Sequence, residues 1–278
     1  MKRLAVLGHP VSHSRSPAIQ TAALDALGLG GEWSYEAIDV DPADFAERTR
    51  ALPADGFVGA NVTIPHKEAA LALADDASDA ARQIGAANTL SFAERGISAE
   101  NTDATGLLAA LPGPVAGEAA LVLGAGGSAR AVVWALAGQG ARVSVWNRTP
   151  ERAEDLVRNL AGEAVDGALA RAGDFALIVN CTAIGMGDED PFDQLPLDPA
   201  RFGAGLAVVD LVYAGAESRL VAAARAAGAT GVDGLEVLVQ QGADSLRIWT
   251  GVDPPVEVMR EAARDRREGG VTNPEPGI

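Results

Sequence analysis

Four short polar clusters in the N-terminal part of the chain carry the residue types that chemistry needs: Ser14 and Ser16; Asn61, Thr63 and Lys67; Asn88 and Thr89; Asn101 and Asp103. Hydroxyls and amides both donate and accept hydrogen bonds, and to these the clusters add one cation and one anion. Such a set suits a polyhydroxylated carboxylic acid, with Lys67 and Asp103 as a proton-transfer pair. Taken singly, each residue has an ordinary use. Ser14 or Ser16 would cap a helix opening at Pro17, and Thr102 or Asp103 would be an N-cap. Asn61 and Asn88 would satisfy loop backbone, and Lys67 would be a solvated lysine at a helix start. Its place just after a strand and Pro65 is what raises Lys67. His66 titrates near neutrality, but neighbouring positions at a helix start point in different directions.

A second kind of chemistry begins at Ala120-Leu121-Val122-Leu123-Gly124-Ala125-Gly126-Gly127-Ser128-Ala129-Arg130. An apolar run of strand length meets a glycine turn, and a helix follows. Gly124, Gly126 and Ala129 fit G-x-G-x-x-A: the first glycine for the turn, the second for backbone approach to a pyrophosphate, the alanine for close helix packing. The helix N-terminus offers unpaired N–H groups to phosphate. The next strand, 142–146, ends at Asn147-Arg148-Thr149, where an NAD site usually carries Asp or Glu. A guanidinium here binds a 2′-phosphate that a carboxylate would repel. Arg148, with Arg130 as a second cation, therefore predicts NADP. Thr149 and Pro150 also read as an N-cap and first helical residue.

Strands and helices alternate along the whole chain. Strands are expected over 4–7, 33–37, 56–62, 87–92, 97–100, 142–146, 176–180 and 206–211, with a hairpin turn at Glu94-Arg95-Gly96. Helices are expected over 18–27, 42–51, 68–74, 78–84, 104–111, 150–161, 167–172, 218–227, 235–249 and 255–267, with a turn-rich stretch over 181–205. This pattern predicts an α/β fold of parallel-type sheets in two domains. Residues 103–237 form a dinucleotide-binding Rossmann domain. Residues 1–102 form the substrate domain, to which the helices of 238–278 return. Cofactor and substrate meet in the cleft between them.

The 278 residues suffice for two filled cores, and a net charge of −16 argues against nucleic acid, which needs a basic face. Cys181 is the only cysteine, so no internal disulfide forms and no metal site is expected. It reads as a small packing residue. The short apolar run after Lys2 and Arg3 is followed by His9-Pro10 rather than a small-residue cleavage site, and no apolar run reaches membrane-spanning length. A cytoplasmic protein with a small-molecule partner is expected.

Across nearly its whole length, and in motif order, the chain resembles the shikimate dehydrogenases. The matching pieces are Ser14-Arg15-Ser16-Pro17, Asn61-Val62-Thr63-Ile64-Pro65-His66-Lys67, Ala87-Asn88-Thr89-Leu90, Asn101-Thr102-Asp103, the glycine turn, Asn147-Arg148-Thr149, Asp210-Leu211-Val212-Tyr213 and Asp233-Gly234-Leu235 with Gln241. The resemblance implies NADPH-dependent reduction of 3-dehydroshikimate to shikimate, in a family of monomers and dimers. It implies that Lys67 and Asp103 flank the reacting oxygen. Ser14, Ser16, Asn61, Thr63, Asn88, Asp103, Tyr213 and Gln241 would bind substrate. Gly124, Ala125, Gly126, Gly127, Ser128, Arg130, Asn147, Arg148, Thr149, Leu211, Gly234 and Asp79 would line the cofactor. Two departures stand out: Ala104 where glycine is usual, and Ala214-Gly215-Ala216-Glu217-Ser218 in place of a Thr-Pro segment after Tyr213. Alternatives are a quinate/shikimate dehydrogenase of the same fold that prefers NAD or a different ring acid, and a non-catalytic nucleotide and metabolite sensor. The intact Lys67/Asp103 pair speaks against a sensor. A folate-pathway dehydrogenase shares the two-domain shape, but the Ser14/Ser16 set does not suit a pterin.

Overall fold

Two six-stranded sheets organise the chain in this computed structural model, which describes residues 1–172, 174–213 and 217–265. The first holds β1 (Lys2–Gly8), β2 (Trp33–Asp39), β3 (Phe57–Val62), β4 (Asp76–Ala77), β5 (Thr89–Ala93) and β6 (Gly96–Glu100), in the order β2-β1-β3-β5-β6-β4. Helices α1 (Ser16–Ala26), α2 (Phe45–Ala51), α3 (Lys67–Leu73) and α4 (Asp79–Ile84) connect them, and α5 (Asp103–Ala110) leads out. The unbroken apolar run of β1 follows from cover on both faces. Leu4 and Val6 pack with Ile19, Leu24 and Met259, while Ala5 and Leu7 pack with Phe45 and Ala70.

The second sheet holds β7 (Ala119–Leu123), β8 (Arg142–Trp146), β9 (Glu163–Ala164), β10 (Leu177–Asn180), β11 (Ala207–Asp210) and β12 (Thr230–Asp233). Its helices are α6 (Gly127–Gly138), α7 (Pro150–Asn159), α8 (Gly167–Ala172), α9 (Pro191–Gln194) and α10 (Arg219–Ala226). Every pairing is parallel and the order is β12-β11-β10-β7-β8-β9. That is the doubly wound dinucleotide-binding order, with the switch point between β7 and β10. Helices α11 (Gly234–Thr250) and α12 (Val256–Arg264) end the described chain. Val239, Ala243, Leu246 and Met259 of these helices join the core of the first sheet with Leu4, Val6 and Ile19. The chain thus has a two-domain α/β fold.

Four details differ from the sequence expectation. The first sheet is mixed, because β5 runs antiparallel to both β3 and β6. Helix α2 begins at Phe45 rather than residue 42, because the Asp41 carboxylate takes the Ala43 N–H at 2.8 Å and holds a turn there. Strands β4 and β12 are additional. β4 is too short to show a period, and β12 reads Thr-Gly-Val-Asp, a turn composition that pairing with β11 makes extended. The turn-rich stretch over 181–205 contains α9 and a 3-10 turn over 199–201, capped by Asp190 and Asp198 side chains. The expected helix end at 267 and the departure at 214–216 lie outside the described residues.

Candidate active site

One edge of the first sheet collects all four polar clusters. The loops after β1 and β3 carry Ser14 and Thr63, and Ser16 and Lys67 open the helices α1 and α3 that follow. Because β5 is antiparallel to its neighbours, its start faces the ends of both: Asn61 pairs with Thr89, and Thr89 with Glu100. Asn88 therefore lies beside Asn101-Thr102-Asp103. Sequence spacing alone does not show this, since the antiparallel strand is what brings residues 61, 88 and 103 to one place.

Lys67 and Asp103 form the centre. Lys67 Nζ lies 2.6 Å from Asp103 Oδ2 and donates to Ser128 Oγ at 3.0 Å, and both charged side chains are largely buried at 11% and 14% exposure. The capping role lies elsewhere. Asn101 Oδ1 accepts from the N–H groups of Asp103 and Ala104 at 3.1 and 3.3 Å, so neither Thr102 nor Asp103 caps α5 with its side chain. That leaves the Asp103 carboxylate free to face Lys67. Asn88 Nδ2 donates to Asp103 Oδ1 at 3.0 Å and to Gln241 Oε1 at 2.9 Å. Of the two adjacent glutamines, Gln240 is held by Glu236 at 2.9 Å, so Gln241 alone is bonded to Asn88.

Ser14 and Ser16 complete the cluster. Ser14 Oγ accepts from the Ser16 N–H at 3.3 Å, and the N-cap of α1 is Arg15, with no side-chain cap bond. Burial pushes the Tyr213 hydroxyl up, and a hydrogen bond with Ser14 works against that shift while the Asp103 charge adds to it. Burial likewise raises Tyr35 well above the usual phenol range, against a hydrogen bond with Ser16. Both tyrosines therefore stand beside the serines. Thr63 is half-buried, its carbonyl accepting from the His66 N–H at 2.9 Å. His66 itself turns away: its Nε2 lies 2.8 Å from the Val40 carbonyl and its ring stacks on Phe45 at 4.3 Å. Burial pushes the Cys181 thiol far up, which removes it as a thiolate nucleophile.

The glycine turn lies against this centre. A Cβ on Gly127 would stand 2.8 Å from Lys67 Cβ. Gly124 has φ +109, which only glycine adopts freely, and a Cβ on Gly126 would meet nothing within 4 Å. The turn is thus open where a pyrophosphate would lie, and the first turn of α6 has no side-chain cap on its N–H groups. At the end of β8, Asn147 Nδ2 bonds the Thr149 carbonyl at 2.8 Å, and the exposed Arg148 has no hydrogen-bond or ion-pair partner among the described residues. Thr149 takes the N-cap position of α7 with no side-chain bond. A cavity of about 380 Å³ opens there, lined by Trp146, Asn147, Arg148, Thr182, Gly185 and Glu189 among others. Gly234 packs on the end of β11, where a Cβ would stand 2.8 Å from the Leu211 carbonyl. An uncapped helix start, an open glycine and an unpartnered guanidinium fit NADP.

Two expected cofactor residues are engaged elsewhere. Arg130 Nε donates to the Ile84 carbonyl at 2.6 Å, which joins α6 to the end of α4. Asp79 is exposed and bonds Arg82 at 3.3 Å, and among the described residues no hydrogen bond ties it to the glycine turn. Ser128 was expected beside the cofactor and is bonded to Lys67.

Three family models match the chain: "Shikimate dehydrogenase substrate binding domain" over 6–90, "Shikimate / quinate 5-dehydrogenase" over 108–182 and "Shikimate 5'-dehydrogenase C-terminal domain" over 234–264. Shikimate dehydrogenase (NADP(+)) of Acidiphilium cryptum strain JF-5 is 48% identical over 275 residues, covering 95% of this chain and 96% of the relative. The chain belongs to the shikimate dehydrogenase family. Among solved structures, shikimate dehydrogenase from Aquifex aeolicus superposes with a TM-score of 0.88 at 35% identity, covering 95% of this chain and 98% of the other. Shikimate 5-dehydrogenase from Thermus thermophilus, in complex with NADP(H) and shikimate, gives 0.85 at 44% identity, covering 95% and 99%.

Within this shikimate dehydrogenase fold, sequence reasoning did not mark Tyr35 or Ser245. Tyr35 lies on β2, far from any motif, and Ser245 is one serine in a long helix. The helical spacing of Gln241 and Ser245, one turn apart on one face, was the available signal.

Proposed function

We propose that the chain catalyses the NADP-dependent, reversible reduction of 3-dehydroshikimate to shikimate in aromatic amino-acid biosynthesis. The observation that carries this reading is the buried Lys67–Asp103 pair, at 2.6 Å, against the N-terminal turn of α6. An ammonium has three hydrogens. Two are used on Asp103 and Ser128, and the third is free for a substrate oxygen. The chemistry that the nicotinamide supplies when bound is hydride transfer to the carbonyl carbon. As charge develops on the oxygen, Lys67 donates the proton that makes it a hydroxyl. Asp103 keeps Lys67 aimed, and its remaining lone pairs accept from the adjacent substrate hydroxyl. Ser14, Ser16 and Tyr213 hold the carboxylate, and Thr63, Asn88 and Gln241 the ring hydroxyls. Gly124 through Ser128, Asn147, Arg148, Thr149, Leu211 and Gly234 hold NADP, with Arg148 on the 2′-phosphate.

In this reading residues 1–102 and 238–278 are the substrate domain and 103–237 the cofactor domain. The reading extends to a cytoplasmic enzyme, whose single thiol suits a reducing compartment, and to a monomer or homodimer, the states found in the family. A net charge of −16 sets it against nucleic acid. The test follows NADP⁺ reduction by absorbance with shikimate and with quinate, each repeated with NAD⁺. Turnover is expected with shikimate and NADP⁺, and preference for quinate or NAD⁺ would move the chain to the broader-specificity branch. No turnover from folded protein would overturn the reading.

A further inference from the structure

Asn61, expected to bind substrate, has little left to bind it with. Its Nδ2 carries two hydrogens and faces three internal acceptors: Ser245 Oγ at 2.8 Å, the Asn88 carbonyl at 3.2 Å and Thr89 Oγ1 at 3.3 Å. Its Oδ1 accepts from the Tyr35 hydroxyl at 2.8 Å. We propose that Tyr35, Asn61 and Ser245 are positioning residues, a buried relay that sets Asn88 and through it Asp103 and Gln241. The proposal rests on the dehydrogenase reading above, which makes Asp103 part of the reacting centre.

Donor counting fixes the first two steps of the relay. A carboxamide oxygen only accepts, so Tyr35 must donate to Asn61. Asn61 in turn donates to Ser245. Ser245 is fully buried, and its Oγ lies 2.8 Å from Thr89 Oγ1, 3.1 Å from Thr102 Oγ1 and 3.0 Å from the Gln241 carbonyl. Both threonine hydroxyls reach Asn88 Oδ1 at 3.2 Å, and the Thr102 N–H reaches it at 2.7 Å. With its oxygen held on that side, Asn88 turns its two amide hydrogens to Asp103, Gln241 and Thr102 Oγ1, the last at 2.9 Å. An unbroken chain of hydrogen bonds thus joins the phenol on β2 to the carboxylate, with Ser245 Oγ at its junction. Remove the Ser245 oxygen, and the Asn61 amide and the threonine hydroxyls compete for the acceptors that remain.

The test uses the full chain with Tyr35→Phe, Ser245→Ala and the double substitution, reading kcat, both KM values and the deuterium isotope effect with shikimate labelled at the carbinol carbon. Each single change is expected to lower kcat by about 10- to 100-fold, the scale of a misplaced reacting group. The KM for NADP⁺ stays unchanged and the isotope effect rises. The double change loses less than the product of the two single losses, because both changes loosen the hold on Asn61. Unchanged kcat and isotope effect in folded variants, or losses that multiply, would overturn the relay. Tyr35→Phe removes one oxygen only, so it covers the case in which Ser245→Ala does not fold. A wild-type chain with no turnover would sink the dehydrogenase reading instead. The relay is then judged by the thermal midpoints of the same cycle: non-additive shifts support it and additive shifts overturn it.

Discussion

At the scale of single residues, two cations carry different burdens. Lys67 is buried against Asp103 and Ser128, and the proposed function sets it on the reacting oxygen; Arg148 is exposed and unpartnered among the described residues, and the same proposal sets it on the cofactor's phosphate. Their replacement should therefore fail in different ways. Lys67→Ala is expected to lower kcat by about 10²- to 10⁴-fold, the usual reach of general acid catalysis, with NADP⁺ binding retained. Steady-state kinetics beside cofactor titration checks this, and near-normal turnover would remove Lys67 from the chemistry. Arg148→Ala should leave kcat with saturating cofactor nearly intact. It should raise the KM for NADP⁺ by about tenfold or more, since hydrogen bonds to a charged group contribute about 1.5–3 kcal/mol, and leave the KM for NAD⁺ unmoved. An equal change for both cofactors would place the 2′-phosphate elsewhere.

At the scale of elements, the seam between α5 and α11 decides whether the substrate groups meet. A Cβ on Gly106 would stand 2.7 Å from both Cβ and the backbone N of Gln241, so these helices touch backbone to backbone. Gly106→Ala would gain about 1 kcal/mol of helix propensity. It would lose about 1–3 kcal/mol to overpacking against backbone that has no rotamer to yield. The overpacking should win. Thermal melts are expected to show a lower midpoint, and the KM for shikimate should rise because Gln241 is the residue displaced. A midpoint at or above wild type would show that the seam relaxes. Helix α6 is tied to the first domain by hydrogen bonds from Arg130 to the Ile84 carbonyl and from Trp134 to Gln83, the latter at 3.1 Å.

For the molecule as a whole, stability should depend on pH through a histidine that does no chemistry. Burial holds His66 below its ordinary value of 6.5, against the bond to the Val40 carbonyl. As pH falls through 6.5 the unfolded chain takes up a proton that the folded protein does not yet accept, so stability is lost on the acid side of that value. His9 acts in the opposite sense. Its bond to Asp39 raises its pKa, and its contribution is lost as pH rises instead. Comparing wild type with His66→Gln isolates the first effect, since His9 is common to both. Between about pH 7.5 and about pH 5 the wild-type midpoint should fall more steeply than the variant's. Parallel curves would show that His66 titrates alike in both states.

Much of this protein was legible in its sequence because the signals are local. The glycine turn, the missing carboxylate after β8 and the alternation of strand and helix each lie within a few residues. The order of motifs identifies the family, and Lys67 and Asp103, which that order marks as a pair, lie 2.6 Å apart. Local signals gave no access to contacts made by residues far apart in the chain. Asn101 rather than Thr102 or Asp103 caps α5, Arg130 turns to Ile84, and Ser245 sits among Asn61, Thr89 and Thr102. Each of these follows from packing, which decides which of several possible hydrogen bonds a side chain makes. Which groups are present, and in what fold, is written in the order of the residues. Which of them touch depends on an antiparallel strand and on a helix returning across the first sheet, since contacts between distant residues exist only once the chain is packed.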